Sequence, residues 1–122
     1  MREFASLSNI PKSRKYSIRG LGANDTALSL QEGGRGITST WISEGKYKLK
    51  WDENPGFFIK ANANLAGTDP ALLKNWSIGF LPYNTTTREL EIWIHNGAGT
   101  LADIVANQYL YIEVEFAETE VR

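Results

Sequence analysis

The chain contains two segments in which apolar and polar residues alternate strictly, residues 88–95 and 109–116. In the first segment, Leu90, Ile92 and Ile94 share one parity. The matching apolar residues of the second segment are Leu110, Ile112, Val114 and Phe116. A period of two is typical of a strand with one face on a core. Both segments therefore predict half-buried β-strands, whose other positions carry acids and large aromatic residues.

The rest of the chain repeats this pattern in shorter segments that are separated by turn residues. A tight hairpin is predicted at Glu44-Gly45, and the strongest turn signal covers residues 52–56. No amphipathic stretch of ordinary helix length occurs. The prediction is an all-β fold, an antiparallel jelly-roll-like β-sandwich of about eight strands, with a fibronectin-like or immunoglobulin-like sandwich as the alternative. After the strong turn, the residues expected to face the core are Phe57, Ile59, Ala61 and Ala63.

Length and composition limit the organisation of the chain. Its 122 residues, of which 42% are hydrophobic, suit one domain with its own core. We expect an N-terminal arm over residues 1–15, which lack sustained periodicity, and a single sandwich domain over residues 16–122. The absence of cysteine fits synthesis in a reducing cytoplasm. No membrane span and no signal peptide are visible.

Charge is distributed unevenly along the chain. The net charge is −1, which argues against a general nucleic-acid binder. Residues 1–20 nevertheless carry five basic residues and one acidic residue, whereas residues 103–122 carry five acidic residues and one basic residue. This asymmetry has two explanations. Both chain ends are simply solvated, or the basic arm binds an acidic surface on a partner.

A row of lysines marks one strand of the predicted sandwich. Lys46, Lys48 and Lys50 alternate with apolar residues between residues 46 and 51. Lysines in such a position commonly protect an edge strand from pairing with another chain. The pattern therefore favours an edge strand over a ligand site.

Candidate catalytic groups are few. His95 is the only histidine, so neither a histidine-based triad nor a site with several histidines can form within one chain. The acids at residues 89 and 91 share one face of a strand, and so do the acids at residues 113 and 115. Such pairs occur in glycoside hydrolases, but acids that face solvent on a half-buried sheet also explain them. We expect no enzyme activity, no catalytic or metal-ligating residues and no cofactor.

The tryptophans and tyrosines fall into two groups. Trp41, Trp51 and Trp76 are in phase with apolar neighbours and are predicted to lie in the core. The out-of-phase residues are Trp93, His95, Tyr109 and Tyr111. Exposed aromatic residues on a sheet face indicate either a protein interface or sugar stacking. These four residues are the predicted oligomer interface or ligand face.

Two parts of the chain resemble a known family. The first is the strand opening Gly45-x-Tyr47-x-Leu49. The second is the block Leu90-Glu91-Ile92-Trp93-Ile94-x-Asn96-x-x-Gly99-x-Leu101-Ala102-Asp103, followed by Tyr109-Leu110-Tyr111-Ile112-Glu113-Val114. Over roughly residues 36–116 the chain is similar to small structural jelly-roll proteins of tailed bacteriophages, which are similar in architecture to trimeric tumour-necrosis-factor-like domains.

The resemblance implies a virion component of the capsid cement or decoration type, or a module of a tail or fibre. Its implied partner is the major capsid protein of a phage head, which it would bind as a dimer or trimer after synthesis in the host cytoplasm. No nucleic acid or membrane partner is expected. The arm residues predicted to bind the capsid or a neighbouring subunit are Arg2, Phe4, Leu7, Ile10, Lys12, Arg14 and Lys15. The alternative function is a carbohydrate-binding module that uses the exposed aromatics.

Overall fold

The computed structural model describes residues 13–23, 25–68, 73–105 and 108–118. Every regular element in these ranges is a β-strand. The eight strands are β1 Ser13–Leu21, β2 Ser29–Glu32, β3 Ile37–Ser43, β4 Lys46–Trp51, β5 Phe57–Gly67, β6 Ser77–Phe80, β7 Glu89–His95 and β8 Gln108–Ala117. The predicted all-β fold is confirmed.

The strands form two four-stranded sheets that pack against each other as a sandwich. Sheet A has the order β2-β1-β8-β5, and sheet B has the order β3-β4-β7-β6. Every pairing between neighbours is antiparallel. The long strands β7 and β8 are central strands of different sheets, so their inner faces meet across the core.

The core consists of the inward-facing residues that the alternation predicted. Leu90, Ile92 and Ile94 of β7 are fully buried. So are the β8 residues Leu110, Ile112, Val114 and Phe116. Burying one such side chain contributes about 1.5 to 3 kcal/mol, and a one-residue slip of either strand would move its whole apolar set to the outer face.

An aromatic cluster fills one end of the core around Phe116. Its ring meets the rings of Tyr16, Trp51 and Tyr83 edge to face, with centroids 5.1 to 5.8 Å apart. The prediction that Trp51 lies in the core is confirmed, whereas Trp41 and Trp76 are only partly buried and pack against the core from its margin.

Strand β5 departs from the predicted phase. Its pairing with β8 shifts register between Phe58 and Lys60, as happens when one strand carries an extra residue. The expectation that Phe57 and Ile59 face the core is wrong, because they are 45% and 41% exposed. Phe58 packs against the core in their place.

The first strand also begins earlier than expected. β1 starts at Ser13, so Arg14 and Lys15 lie within the sandwich, opposite Phe116 and Glu115 of β8. These two residues belong to a hydrogen-bonded strand and not to the predicted arm. The rest of the arm, residues 1–12, lies outside the described residues.

Candidate functional site

The four residues predicted to form one interface or ligand face lie on opposite sides of the sandwich. Trp93 and His95 lie on β7, whereas Tyr109 and Tyr111 lie on β8. All four occupy outward positions, but the two strands belong to different sheets. The segment between β7 and β8 crosses from one sheet to the other. The single predicted face is therefore two separate faces.

On the outer face of sheet B, charged and aromatic side chains contact one another. The Lys46 ammonium nitrogen lies 4.1 Å from the centroid of the Trp93 ring, a cation–π contact. The Trp93 indole nitrogen donates a 2.6 Å hydrogen bond to Glu91. A salt bridge of 3.2 Å joins Lys48 and Glu89. These contacts give Glu89, Glu91 and Trp93 of β7 partners within the sheet.

The lysine row does not protect an edge. Strand β4 pairs with β3 on one side and with β7 on the other, so it is a central strand. Lys46, Lys48 and Lys50 stand opposite Trp93, Glu91 and Glu89. The edge interpretation is wrong, because the sequence alone did not show that an acidic strand pairs with the basic one.

Glu89 shows the electrostatic effect of this pairing. Burial acts to raise the pKa of its carboxyl, but hydrogen bonds from Lys48 and Thr87 outweigh burial. The pKa of Glu89 therefore lies below its usual value.

His95 occupies the end of β7, where it is half-buried. It pairs with Ser77 of β6 and forms an isolated bridge with Leu101. No metal-binding group of three or more histidine, cysteine or acidic residues occurs in the part of the chain that the structure describes.

The outer face of sheet A contains a shallow groove, which we call the sheet A groove. It has a volume of about 380 Å³. The outward side chains that line it are Ser17 and Arg19 of β1, Tyr111 and Glu113 of β8, and Asn62 and Asn64 of β5. Register explains this grouping: Tyr111 stands between Arg19 and Asn64, and Glu113 stands between Ser17 and Asn62.

Arg19 is held in position at one side of the groove. Its guanidinium forms a 3.2 Å salt bridge with Glu32 of β2. The same group lies 5.3 Å from the centroid of the Tyr109 ring, and the Tyr109 and Tyr111 centroids are 6.4 Å apart. Tyr111 itself is 43% exposed.

Several polar groups of the groove have no partner. Among the described residues, the side chains of Asn62, Asn64 and Glu113 make no hydrogen bond or salt bridge, and the buried Nε of Arg19 has none either. A groove whose polar atoms lack internal partners can offer them to a ligand. Sequence patterning named Tyr111 as a candidate ligand residue and Glu113 only as a solvent-facing acid, and it missed the asparagines because they come from a distant segment.

A buried carboxylate ties the loops together at one end of the sandwich. Asp103 is 3% exposed and accepts hydrogen bonds from the Gly45 backbone at 2.7 Å, the Trp41 indole at 3.0 Å and the Asp25 backbone at 2.9 Å. Burial acts to raise its pKa, but these hydrogen bonds outweigh burial, so the pKa of Asp103 lies below its usual value. Its role is to join both sheets.

Gly45 is required at this junction. It turns the β3–β4 hairpin with a φ of 76°, in the left-handed region. A Cβ at this position would lie 2.7 Å from the backbone nitrogen of Ala102. The close approach lets Asp103 reach the Gly45 amide.

The side of the sandwich between β5 and β6, which we call the open side, carries an apolar surface. A groove of about 610 Å³ there is lined mainly by Phe58, Phe80, Pro82 and Tyr83. Lys60, Ala61 and Leu81 complete the lining, and Leu81 is 40% exposed. Phe57 and Ile59 add apolar surface along the same edge strand.

No family model, curated protein or solved structure matches this chain. Among the described residues, no helix is both long and apolar enough to cross a membrane.

Proposed function

We propose that this protein is a structural component of a bacteriophage virion, a capsid cement or decoration protein that binds the major capsid protein of the head as an oligomer and stabilises the shell. The observation that carries this proposal is the apolar open side. The family resemblance over residues 36–116 supplies the virion setting.

The open side has the composition of a protein contact. Leu81, which is 40% exposed, lines a groove with aromatic walls, and Phe57 and Ile59 on the neighbouring edge strand β5 are 45% and 41% exposed. Contiguous apolar surface bordered by polar residues marks an interaction site on a soluble protein. The Tyr83 hydroxyl is buried there without a hydrogen-bond partner among the described residues.

Strand geometry favours a second copy of this chain as the occupant of the open side. β5 and β6 are both edge strands, and β5 is 11 residues long. An edge strand presents unpaired backbone groups that another strand can bind. In a two-fold symmetric dimer the same patch of both copies meets, whereas in a trimer two different patches meet.

The N-terminal arm is the proposed contact with the capsid shell. Ser13 begins β1 opposite Ala117, which in turn stands opposite Phe57. Ser13, the first described residue, therefore lies in the sheet that also contains β5. Arg2 and Lys12 would steer the arm to an acidic surface, and Phe4, Leu7 and Ile10 would anchor it there.

Sedimentation tests the oligomer, and rebinding to phage heads tests the arm. We expect a dimer or trimer at micromolar concentration, and dissociation to monomers in the double variant Ile59→Ser, Leu81→Ser. Ile42→Ser is the matched control, because Ile42 is equally exposed at 40% but lies on β3, the opposite edge of sheet B. Deletion of residues 1–12 should leave the thermal melt unchanged and weaken rebinding to heads.

A monomeric wild-type protein, both free and on heads, would contradict the oligomer. Equal dissociation by Ile42→Ser would contradict the open side as its interface. A collapsed melting temperature with unchanged rebinding after the deletion would show that the arm is part of the fold.

A further inference from the structure

The sheet A groove combines an aromatic ring with unpaired planar polar groups. Tyr111 is exposed in its centre. A tyrosine ring offers an apolar face for contact, and fixing it requires ordering only two side-chain torsions. The C–H groups on one face of a sugar ring can pack against such a surface.

The polar lining offers both donors and acceptors. The amides of Asn62 and Asn64 supply each kind, the Glu113 carboxylate accepts, and the Arg19 guanidinium donates. A sugar hydroxyl both donates and accepts, so it needs a mixed set of this kind around it. Within the described chain, the amides and the Glu113 carboxylate make no bond to one another, so their hydrogen-bonding capacity is free.

The side chains of the groove are also preorganised for binding. Its side chains stand on three adjacent hydrogen-bonded strands of sheet A, and Arg19 is fixed between Glu32 and Tyr109. Polar groups that rigid strands hold in place lose less conformational freedom on binding than groups on loops.

The charges of the groove restrict the class of ligand. Glu32 neutralises Arg19, and Glu113 remains as an unpaired carboxylate. The lining residues therefore carry one positive and two negative charges, and Lys15 and Lys60 lie beyond them beside Glu113. A lining whose one cation is already paired favours a neutral ligand over phosphate-rich ligands and acidic sugars.

We propose that the sheet A groove is a binding site for a neutral saccharide of about one or two sugar units, a size that suits a cavity near the lower end of the usual range. Tyr111 packs against one face of the sugar ring, and Asn62, Asn64 and Glu113 bind its hydroxyls. The site does not depend on the proposed capsid function, because the two grooves share no lining residue, although β5 contributes to both.

Titration with oligosaccharides, followed by amide chemical shifts in NMR spectra, tests this site. The probes are maltohexaose, cellohexaose, mannohexaose and chitohexaose as neutral glycans, and a hyaluronan oligosaccharide as the anionic one. We expect at least one neutral probe to shift amides of β1, β8 and β5. Tyr111→Ala and Asn64→Ala should each weaken that binding about tenfold or more.

Two further variants separate a binding role from a structural one. Tyr111→Phe should keep most of the affinity, because the ring face remains. Thr40→Ala, on the outer face of sheet B, should keep all of it. The absence of binding by every neutral probe, tighter binding of hyaluronan, or shifts confined to sheet B would each overturn the proposal.

Discussion

On the outer face of sheet B, the acidic and aromatic side chains of β7 meet basic partners on β4, whereas on the outer face of sheet A the Glu113 carboxylate of β8 forms no salt bridge with a described residue. Trp93 lies under Lys46, and Glu89 binds Lys48. Tyr111 and Glu113 stand instead between β1 and a β5 strand that supplies Asn64 and Asn62. Similar outward residues therefore bind one another on the face of sheet B, whereas on the face of sheet A they line a groove in which a ligand could bind.

The difference lies in the neighbouring strands and not in β7 or β8 themselves. Even on sheet A, Glu115 has a basic neighbour, since Lys60 lies 3.9 Å from it. Where β5 changes from lysine to asparagine, the pairing ends and the groove begins. Cross-strand neighbours thus decide whether an outward residue stabilises the sheet or remains free for a ligand.

The largest loss of stability is expected at Asp103, which lies on neither outer face. Its loss provides a reference for the smaller losses expected on the two faces. Asp103→Asn places an amide NH₂ group against one of three hydrogen-bond donors, the Gly45 amide, the Trp41 indole or the Asp25 amide. We expect the free energy of unfolding to fall by about 2 to 3 kcal/mol. Chemical denaturation measures this loss. A loss no larger than that of a typical surface substitution would show that the carboxylate does not join the sheets.

The acid side of the stability profile provides the control for Asp103. Because the pKa of its carboxyl is lower in the folded state, the charged form stabilises the fold. That contribution is present above the unfolded pKa of about 4 and disappears as pH falls through the lower folded pKa. Between about pH 5 and about pH 3, the wild-type melting temperature should therefore fall more steeply than that of Asp103→Asn. Parallel profiles would contradict this assignment.

An intermediate loss of stability should distinguish the outer face of sheet B from that of sheet A. Trp93→Ala removes the contact with Lys46 and the hydrogen bond to Glu91, for a loss of about 1 to 2 kcal/mol in the free energy of unfolding. Tyr111→Ala removes an exposed ring and should change stability by no more than about 0.5 kcal/mol. Denaturation of both variants under one condition makes the comparison. Equal losses would remove the distinction between the faces.

The smallest effect concerns the charge pair on sheet B. Glu89→Gln should lower stability by about 0.2 to 1 kcal/mol at neutral pH, because it weakens a partly exposed salt bridge with Lys48. The difference from wild type should shrink in about 0.5 M sodium chloride, which screens such pairs. It should also shrink in acid, since the lowered pKa of Glu89 means that its contribution is lost as pH falls through the folded value. Glu113→Gln, which removes no salt bridge to a described residue, is the matched control for the salt dependence and should show none.

Sequence reasoning predicted the fold better than the candidate sites. Alternation predicted the buried residues of β7 and β8, and the hairpin at Gly45, because side-chain parity along a strand is a local property. It misplaced Phe57 and Ile59, because a one-residue register shift in β5 reverses parity and leaves no trace in a period-two pattern. The capsid contacts predicted at Arg2, Phe4, Leu7, Ile10 and Lys12 lie outside the described residues and stay predictions.

By itself, the sequence determined that this chain forms antiparallel strands and which side of each strand is apolar. Only the tertiary structure decided which strands became neighbours. That choice separated Trp93 from Tyr111 onto opposite faces, matched the lysines of β4 with the acids of β7, and brought Asn62 and Asn64 beside Tyr111. The physical reason is that parity follows from backbone geometry within one strand, whereas strand pairing depends on how two whole sheets bury their apolar faces together.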